Sequence, residues 1–267
     1  MAARKKGDGR FSKQKTRPDA FKDAHNQDAP EMTPVPFSVS LDAGASTTAL
    51  VYSADRPAAA LILAHGAGAG QRHPFMTGFA RALAARGLDI ITFNFLYTEQ
   101  SRRLPDRAPV LEACYRRIVA AVRDRVESAR EQLFIGGKSM GGRIATQIAA
   151  TDPALPVRGL VLLGYPLHPP GRPDKRRDVH LASIGRPMLF VQGGRDAFGT
   201  PAELTPVLRA LTPAPLLHVI EHGDHSFTLP KSESARQPAV LDEAQREIAE
   251  WIVSISGSSA RGHRRTR

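Results

Sequence analysis

Short runs of aliphatic and β-branched residues alternate with longer segments of helical spacing from residue 37 onward. The runs predict eight strands, at residues 37–41, 48–52, 59–64, 89–94, 132–135, 159–163, 188–192 and 216–220. Between them, apolar residues recur three or four positions apart, as in helices that lay one apolar stripe on a sheet. Strands that alternate with helices are typical of a parallel sheet, so the sequence predicts an α/β fold with helices on both faces.

The first two predicted strands differ from the others because no helical pattern lies between them. Turn residues, Asp42 and Gly44, separate them instead, which predicts an antiparallel hairpin at one edge of a mostly parallel sheet of about eight strands. Only residues 165–187 lie between the sixth and seventh strands. Any cap over the sheet at this point is therefore predicted to be minimal.

One domain, residues 37–256, is the simplest partition because neither a repeat nor a linker divides this part of the chain. Residues 1–36 are rich in Lys, Asp, Gln and Pro, which predicts a disordered basic tail. Residues 257–267 are predicted to form a second basic tail. Cys114 falls on the apolar stripe of a predicted helix, so we interpret it as a small core residue.

The composition is that of an ordinary globular protein, with 42% hydrophobic residues in 267. The longest apolar runs are far shorter than the roughly 18 residues that a membrane-spanning helix needs. The N-terminus is charged and no apolar run follows it, which argues against a secretory signal peptide and favours a cytoplasmic protein. A single cysteine excludes an internal disulfide and a Cys/His metal cluster.

The net charge of +11 is concentrated in residues 1–30 and 257–267, which carry +8 of it. Charge of this kind predicts at most a weak, nonspecific contact between the basic tails and a polyanion. No nucleic-acid-binding motif accompanies the tails. The body between them is close to neutral, so its chemistry has to be sought in particular residues.

Residues 137–141 read Gly-Lys-Ser-Met-Gly, a G-x-S-x-G pattern between a predicted strand and a predicted helix. In a nucleophile elbow, the glycines are needed because the strand and the helix approach too closely for a Cβ, while the strained turn exposes the serine hydroxyl. The pattern by itself is weak, but its position between a strand and a helix strengthens it. We predict Ser139 as a nucleophile.

A serine nucleophile needs an imidazole to take its proton and a carboxylate to orient that imidazole. Asp196 follows the seventh predicted strand and His225 follows the eighth, in the order Ser, Asp, His that is typical of this architecture. All three positions lie at carboxyl ends of strands, where open α/β sheets build their sites. Asp224 is the competing carboxylate, but as the direct neighbour of His225 in an extended loop it is expected to point the other way.

The oxyanion of a tetrahedral intermediate needs two N–H donors. The amide of Met140 is predicted to be one, and the amide of Ala67, in the glycine-rich loop 64–70, is predicted to be the other. The same loop could bind phosphate, but it lacks the Lys-Ser/Thr ending of a P-loop and does not match G-x-G-x-x-G. His65 is expected to support the loop by hydrogen bonds.

Two further residues, His168 and Tyr97, are predicted to contact the substrate. His168 belongs to the short cap, which also carries the basic cluster 175–177. This cluster either borders the mouth of the site, where it would favour acidic acyl groups, or is a solvated loop.

Several segments together carry a resemblance to a known family. They are residues 65–70, 73–76, 93–95, 136–143, 164–171 and 223–227. On these motifs the chain resembles the α/β-hydrolases, and more narrowly the dienelactone-hydrolase-like group that includes testis-expressed protein 30 and subunit 3 of the nonspecific-lethal acetyltransferase complex. The resemblance spans about residues 60–230 and implies the fold and the triad positions, but no substrate.

The sequence therefore predicts a serine hydrolase that acts on a small soluble carboxylic ester or thioester through Ser139, His225 and Asp196. Such a mechanism requires neither a metal nor an organic cofactor. The alternative is a noncatalytic interaction protein that keeps the fold and uses its basic tails to bind a polyanion or a partner complex. The complete set of Ser, His and Asp argues against this alternative.

Overall fold

The computed structural model describes residues 32–262 of the chain. The strands are β1 (Val35–Ser40), β2 (Ser46–Tyr52), β3 (Ala59–Ala64), β4 (Leu88–Phe93), β5 (Leu133–Lys138), β6 (Gly159–Leu163), β7 (Met188–Gly193) and β8 (Leu216–Ile220). The helices are α1 (Pro74–Ala84), α2 (Leu96–Glu99), α3 (Ala108–Arg125), α4 (Met140–Thr151), α5 (Pro201–Arg209) and α6 (Gln237–Gly262). Short 3-10 turns lie at Asp42–Gly44, Glu127–Ala129, Val179–Ser183 and Lys231–Arg236.

All eight strands form one sheet in the order β1-β2-β4-β3-β5-β6-β7-β8. β1 pairs antiparallel with β2, and β2 pairs antiparallel with β4, whereas every other pair is parallel. The predicted edge hairpin and the mostly parallel eight-stranded sheet are thus confirmed. Because the parallel strands share one direction, the loops that follow β3, β5, β7 and β8 emerge at the same edge of the sheet.

Helices cover both faces of the sheet, and successive residues of β3 alternate between the two apolar layers. The layer on one face contains residues of α3 and α4, namely Leu111, Ile118, Val122, Ile144 and Ile148. The layer on the other face contains residues of α1 and α6, namely Phe75, Phe79, Leu83, Leu241, Ile248 and Ile252. Burial of each such side chain contributes about 1.5–3 kcal/mol, so the predicted apolar stripes hold the helices on the sheet.

The ordered body is slightly longer at both ends than the predicted domain. β1 begins at Val35 and Met32 packs against the apolar core, although both lie within the predicted N-terminal tail. α6 extends to Gly262, so residues 257–262 are helical rather than tail. Once formed, a helix gains one hydrogen bond for each added residue, and no proline interrupts this stretch. The remaining parts of the predicted tails, residues 1–31 and 263–267, lie outside the described residues.

The segment between β6 and β7 is short, and its 3-10 turn Val179–Ser183 packs on α4. The Thr146 hydroxyl of α4 and the His180 Nε2 atom, 2.8 Å apart, join the two. The predicted minimal cap is therefore a single loop that lies against a helix. Between residues 32 and 262, no helix combines the length and the hydropathy that a membrane crossing requires.

Candidate active site

Ser139 lies in a strained turn between the end of β5 and the start of α4. Its φ of 51° and ψ of −113° lie in a region that non-glycine residues rarely adopt. Two main-chain hydrogen bonds hold the turn: the Ser139 amide donates to the Leu163 carbonyl at 2.9 Å, and the Arg143 amide donates to the Ser139 carbonyl at 3.0 Å. The neighbouring strand β6 and the helix α4 thus keep the serine in a conformation that the isolated residue would avoid.

Glycines on either side of Ser139 are required because β3 runs directly beside the turn. A Cβ on Gly137 would lie 2.5 Å from the carbonyl oxygen of Ala64, and a Cβ on Gly141 would lie 2.4 Å from the same atom. Both distances are far inside van der Waals contact, and the obstructing atom belongs to the main chain. The glycine spacing that the sequence shows is therefore imposed by backbone packing around the serine.

The structure brings Ser139, His225 and Asp196 into one chain of hydrogen bonds. His225 Nε2 lies 2.9 Å from the Ser139 Oγ atom, and His225 Nδ1 lies 2.8 Å from the Asp196 Oδ2 atom. A carboxylate only accepts hydrogen bonds, so Nδ1 carries the proton and Nε2 is left to accept from the serine hydroxyl. The Asp196 side chain is fully buried, whereas that of His225 is 21% exposed.

The competing carboxylate, Asp224, points away from the imidazole. Its Oδ1 atom accepts hydrogen bonds from the amides of Ser226 at 2.8 Å and Thr228 at 2.9 Å. These bonds close the loop that carries His225. Asp224 therefore shapes that loop, while Asp196 contacts the ring.

Asp196 is held by two donors besides His225. Gln192, in β7, donates from Nε2 to Asp196 Oδ2 at 2.9 Å, and the Phe198 amide donates to Oδ1 at 2.8 Å. The same amide group of Gln192 also donates to the Gly199 carbonyl at 2.7 Å and accepts from the Tyr165 amide at 2.8 Å. Gln192 was not identified from the sequence, although a glutamine near the end of a fully buried strand is a signal that could have found it.

The surroundings of His225 keep its imidazole neutral. Burial lowers the pKa of His225 below its ordinary value, with the positive charge of Lys138 acting in the same direction. The hydrogen bond that His225 donates to Asp196 opposes this shift but does not reverse it. The ring of Phe198 stacks on the imidazole with the centroids 4.1 Å apart. The base is thus unprotonated, and able to accept a proton, at neutral pH.

Lys138, which directly precedes the serine, was not identified from the sequence either. Its side chain is buried, and the Nζ atom donates to the main-chain carbonyl of His225 at 2.6 Å. The rings of Phe75 and Phe227 lie 5.7 and 5.6 Å from the ammonium, within cation–π range. Burial lowers the pKa of Lys138 to about 8, against the opposing charges of Asp196 and Asp224.

The glycine-rich loop 64–70 lies beside the serine, as an oxyanion loop must. A Cβ on Gly66 would lie 3.7 Å from the Cβ atom of Ser139. Within residues 32–262, neither the Ala67 amide nor the Met140 amide, the two predicted donors, has a hydrogen-bond acceptor. Both N–H groups are therefore free to bind an oxygen atom of a ligand.

Two side chains hold the main chain of this loop. His65 is buried between the Gly66 carbonyl, 2.8 Å from Nδ1, and the Phe95 amide, which donates to Nε2 at 3.1 Å. Burial lowers the pKa of His65 to about 4, so the ring stays neutral and can accept at Nε2. The Tyr97 hydroxyl donates to the Ala67 carbonyl at 3.0 Å. Tyr97, which the sequence predicts as a substrate contact, is thus seen to anchor the loop.

His168, the other predicted substrate contact, is bound within the protein through both ring nitrogens. Nδ1 lies 2.9 Å from the Pro169 carbonyl, and Nε2 lies 3.2 Å from the Glu203 carboxylate of α5. In the basic cluster 175–177, Arg176 is paired with Asp178. A direct role of His168, Tyr97 or this cluster toward the substrate stays a prediction.

The arrangement has the parts that acyl transfer needs: a serine hydroxyl bonded to a neutral imidazole, a buried carboxylate behind that imidazole, and two free amides beside the serine. A carbonyl carbon next to Ser139 Oγ would lie beside the neighbouring Met140 amide and close to the glycine-rich loop that carries the Ala67 amide. Attack, proton transfer and stabilisation of the oxyanion are thus all possible at one place.

Comparisons with known proteins agree with this architecture. The family model described as an alpha/beta hydrolase domain matches residues 57–253. Similar solved structures include an α/β serine hydrolase without a lid from Xanthomonas campestris (TM-score 0.63, 20% identity, covering 84% of this chain and 96% of that one). A dienelactone hydrolase from Anabaena variabilis gives a TM-score of 0.65 at 21% identity, with 83% and 98% covered. An esterase from Pyrococcus furiosus gives a TM-score of 0.64 at 13% identity, covering 83% of this chain and 90% of that one. The narrower resemblance to the group of testis-expressed protein 30 stays a prediction.

Proposed function

This chain belongs to the alpha/beta hydrolase domain family, and on that premise we propose that it is a serine hydrolase that cleaves a carboxylic ester or thioester through an acyl-enzyme. One observation carries the proposal: the continuous hydrogen-bond chain from Ser139 Oγ through His225 to the buried Asp196 carboxylate. A noncatalytic scaffold has no physical need for a strained serine with its base and acid in place.

In the first half of the reaction, the Ser139 oxygen attacks the substrate carbonyl while His225 Nε2 takes the hydroxyl proton. The oxygen of the tetrahedral intermediate becomes negative and is bound by the amides of Met140 and Ala67. Asp196 stabilises the imidazolium that forms. When the intermediate collapses, the bond to the leaving group breaks, and His225 returns the proton to the departing alcohol or thiol.

In the second half, a water molecule takes the place of the leaving group. His225 Nε2 removes a proton from the water as it attacks the acyl carbonyl. The second tetrahedral intermediate uses the same two amides. Collapse breaks the bond to Ser139, the proton returns to the serine oxygen, and the carboxylic acid leaves.

A compact, soluble substrate fits the shape of the site. The cap between β6 and β7 is a single loop, and Ala67 and Gly68 of the oxyanion loop are exposed. A short cap and an exposed loop leave little protein to enclose a long acyl chain. We expect hydrolysis of p-nitrophenyl esters to be fastest for short acyl groups; activity that rises with acyl length beyond about eight carbons would overturn this substrate class.

The central test is labelling by a fluorophosphonate probe, which requires an activated serine whatever the natural substrate. We expect wild type to be labelled and to hydrolyse p-nitrophenyl acetate, and Ser139→Ala to do neither. Ser183→Ala is the matched control, because Ser183 is an exposed serine of the cap, and it should retain both activities. Labelling that persists in Ser139→Ala, or a folded wild type with neither activity, would contradict the proposal.

A further inference from the structure

Lys138 is a buried cation whose one hydrogen bond from the side chain, among residues 32–262, is to the loop that carries His225. Its Nζ atom lies 2.6 Å from the His225 carbonyl, across 87 residues of sequence. A buried ammonium is costly unless it is well bound, and an apolar side chain of the same length would fill this place without that cost. The charge therefore calls for an explanation beyond packing.

The pocket around the ammonium is shaped closely to it. A Cβ on Gly164 would lie 2.7 Å from Lys138 Nζ and 3.1 Å from the His225 carbonyl oxygen, so a larger residue at this position would displace the ammonium. The rings of Phe75 and Phe227, whose centroids are 5.6 Å apart, lie 5.7 and 5.6 Å from the ammonium. The ammonium thus lies against two aromatic rings and the main chain of His225.

We propose that Lys138 is a positioning residue of this site: its ammonium fixes the main chain of His225 through the carbonyl, and its charge disfavours a second positive charge on the imidazole. This inference rests on the proposed function. The anchor joins the end of β5, which carries the nucleophile, to the loop after β8, which carries the base. One residue therefore couples the two reacting groups along a route separate from the hydrogen bond between their side chains.

The electrostatic part of the proposal follows from the charges that face His225. Asp196 and Asp224 favour the protonated ring, whereas Lys138 and burial disfavour it. Removal of the ammonium leaves only burial to oppose the two carboxylates, so the pKa of His225 must rise. Activity that depends on the neutral imidazole is then lost at a higher pH as the solution is acidified.

The test compares Lys138→Met, which removes the charge and the donor, with Lys138→Arg, which keeps both. For Lys138→Met we expect kcat/KM toward p-nitrophenyl acetate to fall about tenfold. We also expect the acid limb of its pH profile of kcat/KM to move to higher pH, whereas the profile of Lys138→Arg keeps the acid limb of wild type. Lys231→Met is the control, because Lys231 is exposed. Near-UV circular dichroism checks folding, and Lys138→Gln serves as a second variant that removes the charge if the methionine variant does not fold.

A titration of the His225 ring by NMR separates this proposal from the proposed function, because it needs no turnover. The signal is assigned by its loss in His225→Gln. A higher imidazole pKa in Lys138→Met than in wild type supports the inference even in a protein without esterase activity. An unchanged imidazole pKa in a folded Lys138→Met, or an unchanged acid limb, overturns it, since a purely structural anchor would move neither.

Discussion

Gln192 and Asp196 form a hydrogen bond of 2.9 Å in which neither side chain is exposed to solvent. Gln192 lies in β7, and Asp196 lies in the loop that follows this strand. The same Gln192 side-chain amide also binds the Gly199 carbonyl and the Tyr165 amide. One side chain thus ties the carboxylate behind the imidazole to the loop after β7 and to the loop after β6. The orientation of the acid is therefore built into the core of the protein.

Gln192→Leu should weaken both the fold and the site. The leucine leaves the Gly199 carbonyl and the Tyr165 amide buried without a partner, at about 1–3 kcal/mol each. We expect the free energy of unfolding in urea to fall by about 3 kcal/mol, and kcat/KM to fall because Asp196 loses a donor. Gln100→Leu, at an exposed position, should change neither quantity. Equal stability of the two variants would contradict the assigned network.

Asp196→Asn and Asp224→Asn form a matched pair that identifies the acid. An amide at position 196 can present a donor to His225 Nδ1 and favour the wrong tautomer, so we expect kcat to fall by about 10³–10⁴. An amide oxygen at position 224 can still accept from Ser226 and Thr228, so most of the activity should survive. The measurement is steady-state hydrolysis of a short ester, and comparable losses in both variants would reject Asp196 as the orienting acid.

Gly137→Ala should prevent the turn at Ser139 from forming. The added Cβ would meet the Ala64 carbonyl oxygen at 2.5 Å and the Gly141 carbonyl carbon at 2.8 Å, and neither belongs to a flexible side chain. We expect a loss of more than about 3 kcal/mol in the free energy of unfolding. Gly185→Ala is the control, because no atom lies within 4 Å of its Cβ position. A Gly137→Ala variant as stable as this control would show that the turn has room to relax.

Lys138 should also give the stability of the protein a particular dependence on pH. Its pKa is about 8 in the folded protein against an ordinary 10.5. Below pH 8 both folded and unfolded chains hold this proton, and the cost of burying the charge is fully present. Between pH 8 and 10.5 only the unfolded chain keeps the proton, so folded wild type becomes more stable as the pH rises.

The comparison with Lys138→Met isolates this effect from the other titrating groups. We expect the stability of wild type relative to the variant to rise on the order of 3 kcal/mol from pH 8 to pH 10.5. Urea unfolding of both proteins at several pH values measures the difference. A difference that stays constant with pH would mean that the ammonium is not held in a desolvated state.

The apolar pattern of the sequence was sufficient to predict the fold because it is strong in this chain. β3, β4 and β5 are buried along their whole length, and the stripes of α1 and α6 keep a regular helical period. The ends of the ordered body were less predictable: β1 begins before residue 37 although it contains Pro36, and α6 continues through Gly257, a residue type that commonly ends helices.

The site was predictable where local motifs define it and unpredictable where chain-distant contacts do. Strand ends and the glycine spacing identified Ser139, Asp196 and His225, which the structure brings together. Lys138 and Gln192 were missed because their partners become neighbours only in the folded sheet. For the same reason, the sequence did not indicate that the Glu203 carboxylate contacts His168 Nε2.

The position of β8 has a consequence for how this protein would lose activity on heating. β8 is the last strand of the sheet, it pairs only with β7, and its first residue, Leu216, is 47% exposed. The base His225 follows this border strand, whereas Ser139 follows the central β5. Edge elements open at lower free energy than the centre of a sheet. Local unfolding of β8 alone would separate His225 from Ser139 while the rest of the sheet stays folded. Loss of activity on heating should therefore precede global unfolding and reverse on cooling.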